Sequence, residues 1–574
     1  MRSLIREGRE WSIAPLPDSE LVSEIRSSLA CSMPFAVLLA RRGSENWRAL
    51  INPGLEDLHS PFALSGVKEG IERLKEAIDS EERIFIHGDF DVDGLTAAAV
   101  LYQGLLPLLP RKSIKVHVGD RKSGHGLSTA FVERAIEERF NLVITVDCGI
   151  SNAREIDRLG QAGIDTIITD HHIPPQTLPP AVAIIDPQSP GESYPNRDLA
   201  GVGVAFKFLC ALNEELGSSL PRSLLDLVAL GTVADLVPLA NGSEIENRAL
   251  VQEGLSLVAR GEGSSLGLRV LMNAVSLKAS KLTTSDIGYI VAPKLNAANR
   301  AGDPKVAFLL LTTADHRKAE YLSETLLDYN RDREIAQGDL ISQAEDKLAE
   351  EGSDPRETGI VILVGKYWNE GVLGLAASNL ADRYGVPSIV ISQGDSNSRA
   401  SCRSVHGFNM VTCLEAQSDL LLHYGGHEMA AGFSVANDNL APLKEKLLTY
   451  AAKHQPERMA KDAKLIDARI AADEIDVRFY KNIRSLAPYG PGNPAPLFLV
   501  EGCSFDNLLL VGARRQHLKG RIAQNGLSLP FIAFRMGKHL EKFRDARQAS
   551  VVARAGFDDW HGSAQAEVTD LVSA

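Results

Sequence analysis

Between residues 83 and 240 the chain alternates short apolar runs with helical patterns, and three of the apolar runs stop on acids. Residues 83–87 run into Gly88-Asp89-Phe90-Asp91-Val92-Asp93-Gly94, residues 142–146 into Asp147-Cys148-Gly149, and residues 166–169 into Asp170-His171-His172. Two more apolar runs, at 114–118 and 181–185, and helical patterns at 95–106, 128–140, 153–162, 204–216 and 222–235 complete the alternation. That pattern predicts a doubly wound parallel α/β sheet. In such a sheet ligands bind in the crevice beyond the carboxyl ends of the strands, so the three acidic clusters are expected to converge. Carboxylates that close repel one another unless protons or cations neutralise them. A mixed Asp/His set suits Mn²⁺, and carboxylate with water suits Mg²⁺ or Mn²⁺. Two cations about 3.5–4 Å apart are the usual device for phosphodiester hydrolysis.

Each motif has a plainer reading. Asp89-x-Asp91-x-Asp93-Gly94 resembles a Ca²⁺ loop, but its twelfth position is Val100 instead of Glu, and an apolar strand precedes it. An aspartyl-phosphate phosphatase would use an Asp-x-Asp after a strand, yet leaves Asp170-His171-His172 unexplained. A solvated acidic loop is the remaining alternative. Asp147 alone could be a helix cap. Of His171 and His172, one is expected to be a ligand and the other to orient it or face the substrate. Asp235 ends the run 227–235 between Val233, Ala234, Leu236 and Val237. A buried carboxylate there needs a partner, and a metal is one; capping the next turn is the other reading.

At 574 residues the chain has room for several domains. Residues 1–75 form a mixed lead-in, expected to pack on the parallel-sheet domain at 76–240. Residues 241–350 read as a helical connector, ending in a long helix over 317–351. A second α/β unit occupies 351–455. Short strand-like runs at 497–500, 507–511, 518–522, 529–534 and 551–555 predict a small β-barrel over 460–574. The net charge of −13 argues against wholesale coating by nucleic acid, but not against a basic groove. Residues 514–547 hold nine Lys or Arg, including Arg514, Arg515, Lys519 and Arg521, against two acids. Phe531, Phe534 and Phe543 are interleaved there, as in a groove that stacks single strands; Phe531 and Phe534 are expected in the barrel core instead. Six scattered cysteines without a Cys-x-x-Cys pair offer neither a zinc site nor a disulfide framework, which suggests a reducing compartment. The first residues lack an apolar signal core, and no run reaches the ~18 apolar residues of a membrane span. A soluble, cytoplasmic protein is expected.

Taken together, His87-Gly-Asp-Phe-Asp-Val-Asp-Gly94, Val146-Asp-Cys-Gly149, Asp170-His-His172 and Val233-Ala-Asp-Leu-Val-Pro238 resemble the motifs of the DHH phosphoesterases. Ala200-Gly-Val-Gly-Val-Ala-Phe-Lys207, Glu246-Asn-Arg248, Ala292-Pro-Lys-Leu-Asn-Ala-Ala298, Tyr424-Gly-Gly-His427 and Leu486-Ala-Pro-Tyr-Gly-Pro-Gly-Asn-Pro494 resemble the bacterial exonuclease branch of that superfamily, in its order along the whole chain. The resemblance implies a DHH domain, a helical connector, a DHH-associated domain and an OB-fold. It implies two-metal 5′→3′ exonuclease action on single-stranded DNA in repair and recombination, releasing 5′-mononucleotides. It places one Mn²⁺ or Mg²⁺ on Asp89 or Asp91 with Asp147, and the other on Asp93, Asp147, His171 and Asp235. Asp170 and His172 join that catalytic set. Arg121, His125, Asn296, Arg300, Ser401, Arg403, Ser404, Gly425, Gly426 and His427 would hold the substrate and its 5′ end. Single-strand-binding protein and a RecQ-type helicase are the implied partners, and the chain is expected to be a monomer. His125 stands where the family has an aromatic residue, and Asn369, Lys294, Asn299 and Asn379 replace its usual residues; these departures touch substrate contacts, not metal ligands. Two rivals remain. A phosphodiesterase of short oligonucleotides or cyclic dinucleotides would not need the barrel, and a non-catalytic DNA-binding scaffold would be expected to have lost ligands.

Overall fold

The computed structural model describes residues 1–573 except 7–8, 44–45, 122–123, 353 and 455–463. The boundary expected near 455–460 lies outside the described residues. A five-stranded, all-parallel sheet has the spatial order Ile114–Val118, Ile84–Gly88, Leu142–Val146, Asp165–Thr169, Ala183–Ile185. In chain order this is 2-1-3-4-5, so the topology switches direction between Ile84–Gly88 and Leu142–Val146. Both of these strands are buried along their whole length, which is why they read as continuous apolar runs. Ile84 and Ile86 face the helices Val67–Asp79, Val92–Leu105, Gly201–Glu215 and Leu225–Asp235. Phe85 faces the other layer, formed by Thr129–Glu137 and Ala153–Gln161.

The connector packs on the first of these layers through Leu266–Ala274, Ala292–Ala301 and Pro304–Thr312. It ends in the 36-residue helix His316–Glu351, about 54 Å long at 1.5 Å per residue. Ala319, Leu322 and Leu326 anchor one end of that helix in the first domain. Leu340 and Ala344 anchor the other end on the second. The second sheet runs Leu421–Gly426, Ala430–Ala436, Asn397–Arg403, Ser388–Gln393, Val361–Lys366, parallel only in its last pair.

The C-terminal sheet closes on itself: Phe498–Val511 pairs with His517–Gln524 on one edge and with Ala549–Asp558 on the other. Leu527–Ala533 and Ser563–Val572 complete a five-stranded barrel. The two runs expected at 497–500 and 507–511 are one strand, interrupted by register shifts where it bends between its neighbours. Ser563–Val572 was not anticipated. Phe531 and Phe543 are fully buried, whereas Phe534, expected in the core, is 54% exposed. The strand ends at Ala533 and Arg535 turns out with a φ of 59°.

The lead-in divides. Val67–Asp79 packs on the parallel sheet, but Val22, Ile25, Phe35, Leu38, Leu39, Trp47 and Leu50 share the core of the barrel. Trp11–Ile13 pairs in parallel with Lys464–Ile466, and the Trp11 indole donates to buried Asp570 at 2.8 Å. Arg248 ties these parts together: fully buried, its guanidinium donates to the carbonyls of Leu50, Ser485 and Ala487.

Candidate active site

The acidic residues emerge at the switch point of the parallel sheet. Asp89 follows the first strand and is buried. Asp91 caps the next helix, its Oδ1 accepting the N–H groups of Asp93 and Gly94 at 2.9 and 3.2 Å. Asp93 faces the N-terminus of helix Gly201–Glu215 and accepts from Gly201 N–H at 2.7 Å and Val202 N–H at 2.9 Å. Those free amides and the helix dipole favour its anion. Asp147 follows the third strand in a left-handed conformation, φ 59°, with its N–H donated to Thr169 O. A non-glycine residue held there is strained, as residues at working sites often are. Asp235 sits at the C-terminus of Leu225–Asp235, where the dipole opposes a carboxylate and favours a cation.

His171 Nε2 lies 3.1 Å from Asp147 Oδ1, 3.7 Å from Asp235 Oδ2 and 3.8 Å from Asp93 Oδ2. Donor atoms of Asp89, Asp91 and Asp147 fall within 4.8 Å of one another, as do those of Asp93, His171 and Asp235. Asp147 also groups with His171 and His172, so it stands between the two sets. Burial, then neighbouring carboxylates, pushes Asp93 and Asp147 well above the usual carboxylate range, and Asp91 up to about 6. Asp89 Oδ1, Asp147 Oδ1 and His171 Nε2 are buried without any hydrogen-bond partner. Orphaned donors converging from carboxylates and one imidazole fit two divalent cations of the Mn²⁺ or Mg²⁺ kind.

Asp170 has a different place. Its Oδ1 accepts the N–H groups of His171 and His172 and meets His172 Nδ1 at 2.8 Å; its Oδ2 accepts Ile150 N–H. With both oxygens engaged it orients the histidines. Burial opposes a charge on His172, but the bond to Asp170 and nearby acids outweigh it and raise its pKa to about 9. Asp186 was missed. It ends the fifth strand as the other acids end theirs, is buried, and is pushed by burial up to about 7. The strand-end rule that found Asp147 would have found it.

A cleft of about 1280 Å³ opens between the first domain and the second sheet. Arg121, His125, Arg300, Ser401, Arg403, Gly425, Gly426 and His427 line it together with Asp147, Asp170 and His172. Arg300 donates to Gly371 O and Arg403 to Cys402 O, and no salt bridge among the described residues reaches either guanidinium. Burial first, then Arg121, Arg333 and Arg403, pushes Arg300 down to about 9. Such a pocket calls for an anion. Arg121 lies over the Phe90 ring at 4.8 Å, and His125 packs against the same ring at 4.6 Å. His125 Nδ1 also lies 3.1 Å from Asp89 Oδ2, so the unusual histidine touches a candidate ligand. Asn299 Nδ2 braces the acidic loop by donating to Phe90 O at 2.7 Å. Two expected contacts do not face the cleft. Ser404 is buried and donates to Phe408 O, and Asn296 is half-buried outside the lining.

On the barrel, Lys519 and Arg521 alternate with buried Leu518 and Ile522 and so point outward. Lys519 is paired with Asp558 at 2.9 Å and Arg521 donates to Ser528, while Arg514 and Arg515 are exposed in the preceding hairpin.

Comparison with known proteins follows the same division. Residues 83–232 match the DHH family, N-terminal domain; residues 357–453 match the DHHA1 domain; residues 466–570 match the RecJ OB domain. The chain is 34% identical over 559 residues to the single-stranded-DNA-specific exonuclease RecJ of Bacillus subtilis (strain 168), covering 96% of this chain and 69% of that protein. It is 32% identical to the protein of the same name from Escherichia coli (strain K12), over 88% of this chain and 89% of that one. The crystal structure of RecJ in complex with Mn²⁺ from Thermus thermophilus superposes with a TM-score of 0.82 at 29% identity, covering 99% of this chain and 80% of that chain.

Proposed function

The chain belongs to the RecJ family of DHH phosphoesterases, and on that footing we propose that it degrades single-stranded DNA from the 5′ end, releasing 5′-mononucleotides in repair and recombination. It is a metal-dependent single-stranded-DNA exonuclease using Mn²⁺ or Mg²⁺. Asp89, Asp91 and Asp147 would hold one cation, and Asp93, Asp147, His171 and Asp235 the other. Bound there, the cations supply Lewis-acid stabilisation of the phosphoryl oxygens and an activated water. The observation that carries the assignment is the three orphaned atoms of Asp89, Asp147 and His171, buried where the two donor sets meet.

The chain's own residues do the rest. Asp170 accepts from His172 Nδ1 and so orients that imidazole in the lining of the cleft. The imidazole would hold a phosphoryl oxygen as charge develops. Arg121, Arg300, Arg403, Ser401 and His427 would grip the terminal phosphate, setting the scissile bond over the carboxylates. An anion pocket beside the carboxylates counts along the strand from its end, which suits an exonuclease. The barrel, with Arg514, Arg515, Lys519 and Arg521 outward, would hold the strand beyond.

We assign the DHH domain to 76–240, the connector to 241–350, the DHH-associated domain to 351–455 and the OB-fold to 460–574. We place the protein as a monomer in the cytoplasm, with single-strand-binding protein and a RecQ-type helicase as partners. All six cysteines are unpaired and buried, which suits a reducing compartment, and no single described helix is long and apolar enough to cross a membrane.

The test is Mn²⁺-dependent release of label from 5′- and 3′-end-labelled single-stranded DNA, with Asp147→Ala as control. Early loss of the 5′ label, abolished in the variant, is the expected result. DNA binding without release under any divalent cation would move the chain to a scaffold.

A further inference from the structure

Asn299 and Arg300 stand side by side in the last turn of helix Ala292–Ala301, where three parts of the molecule meet. Toward the first domain, Asn299 Nδ2 donates at 2.7 Å to Phe90 O, on the backbone between Asp89 and Asp91. Toward the second, Arg300 donates to Gly371 O at 2.9 Å. Gly371 lies in the turn Glu370–Val372, and a Cβ on it would stand 2.4 Å from Arg300 O, so turn and helix are in direct backbone contact. Toward the long helix, the C-cap Gly302 backs onto the ring of Tyr329, where a Cβ would stand 2.2 Å away. Only glycine permits either approach.

Two of the residues at which the chain departs from its family belong to this junction. Asn299 is one. Asn369 is the other: its Oδ1 accepts Gly371 N–H at 2.9 Å and fixes the turn that receives Arg300. The Asn299 amide has a defined sense, because turning it over would set its oxygen against Phe90 O. In that sense its Oδ1 is buried with no hydrogen-bond partner among the described residues. A buried acceptor left unpaired costs stability and calls for an explanation. The bond made by the other end of the amide supplies one. It ties the helix that carries Arg300 into the anion pocket to the backbone that carries the carboxylates.

The last turn of a helix is its softest part, since its final carbonyls have no partner within the helix. A phosphate gripped by Arg300 orders that turn. Through Asn299 the same ordering reaches Phe90, and so the two acids that flank it. Whichever ligand binds first bears the ordering cost, and the second binds more tightly for it. Such coupling is reciprocal by thermodynamic necessity.

We propose that Asn299 couples the terminal-phosphate pocket to the cation-binding loop, so that a phosphorylated 5′ end and Mn²⁺ strengthen each other's binding. Asn299 is a positioning residue here, acting through Phe90. The proposal rests on the exonuclease reading and adds a linkage between the two halves of its site. An arriving strand end then completes the metal centre, and the chain without one holds its cations more loosely.

Thymidine 5′-monophosphate, which offers a terminal phosphate and no phosphodiester bond to cut, is the probe, with thymidine as its phosphate-free control. Calorimetric titration of the full chain with Mn²⁺ is expected to show roughly tenfold tighter binding when the nucleotide is saturating, an ordinary size for such a coupling, and no change with thymidine. Asn299→Ala should still bind each ligand alone but bring that factor close to one. Asn299→Asp has the same shape without the donor; it should do likewise, and it serves if the alanine variant does not fold. Amide exchange without metal separates this coupling from direct contact between phosphate and cation. There the nucleotide is expected to slow exchange over residues 89–94 of the unsubstituted chain and not of the variants. An undiminished factor in the variants, no factor in the unsubstituted chain, or slowed exchange at 89–94 without Asn299 would overturn the proposal. Failure of the exonuclease reading looks different: the unsubstituted chain would not shorten a 5′-phosphorylated single strand in Mn²⁺ at all.

Discussion

Asp147 and Gly201 approach so closely that a Cβ on Gly201 would stand 2.6 Å from the Cβ of Asp147. That contact seats the N-terminus of helix Gly201–Glu215 against the candidate metal centre, and lets its first amides reach Asp93.

Gly201→Ala is therefore expected to damage the centre without harming the helix, since Ala is otherwise the better helix former. Asp147 must shift, and a displacement of an ångström at a reacting site costs on the order of 100-fold in rate. Single-turnover rates across a Mn²⁺ titration check this; a variant with wild-type rate and Mn²⁺ dependence would mean the contact relaxes harmlessly.

Asp147→Ala should separate activity from stability. Hydrolysis is expected to fall by more than about 100-fold, the upper end for changes merely adjacent to a ligand. The metal-free protein should melt at the same temperature or higher, because one of several crowded carboxylates has gone. The rise in melting temperature on adding Mn²⁺ should shrink. A lower metal-free melting point with an undiminished Mn²⁺ response would contradict a ligand role.

The carboxylates also set a pH dependence. Burial, then Asp89 and Asp235, raises Asp91 from 3.8 to about 6. Without metal the folded chain holds this proton more tightly than the unfolded chain does. Its contribution to stability is full below about pH 4 and is lost as pH rises through 6. Cations need the deprotonated form, so Mn²⁺ affinity should rise over the same window and binding should release protons. Melting curves from about pH 4.5 to 8, with and without Mn²⁺, test this against Asp91→Asn. The variant should lose that component of the metal-free slope, and an identical slope would refute the assignment.

The shared core of lead-in and barrel makes a prediction about truncation. Removing residues 464–574 alone uncovers Phe35, Leu38 and Leu39 and strips Arg248 of two of its three carbonyl partners. Such a chain is expected to aggregate. Removing residues 1–52 as well should restore solubility, with weak binding of long strands and retained hydrolysis of short oligomers. Sedimentation of the two truncations decides it: a well-behaved single deletion would show that the contact is dispensable.

Much of the site was legible in the sequence because one rule of parallel sheets puts strand-end residues together. It located Asp89, Asp147 and Asp170 before any coordinates, and the same rule, applied once more, reaches Asp186. What it could not supply is the role of each oxygen: Asp170 joins the catalytic set in sequence, and only the coordinates show both its oxygens engaged, Oδ1 in orienting His172. Ser404 sits in a promising Ser/Arg run, but it falls just past the end of strand Asn397–Arg403, where its hydroxyl turns in to donate to Phe408 O. Strand Ser563–Val572 escaped because both its faces are largely buried and its buried positions include Ala, Gln565 and Asp570, which mute the apolar alternation. The partner of the N-terminal helices escaped for a general reason: an apolar face declares that it must be covered, not by what.

The arrangement of that cover has a consequence during synthesis. Arg478 donates to the carbonyl of Ala30, 448 residues earlier in the chain. At roughly 5–20 residues per second, the first helices wait about 20–90 seconds on the ribosome for the barrel that receives them. Throughout that interval the nascent protein carries a sticky, unfinished end while its nuclease centre is already taking shape behind it. Completion of the barrel is thus the event that covers these helices, and a chain released before it leaves them bare as a mark for chaperones and proteases.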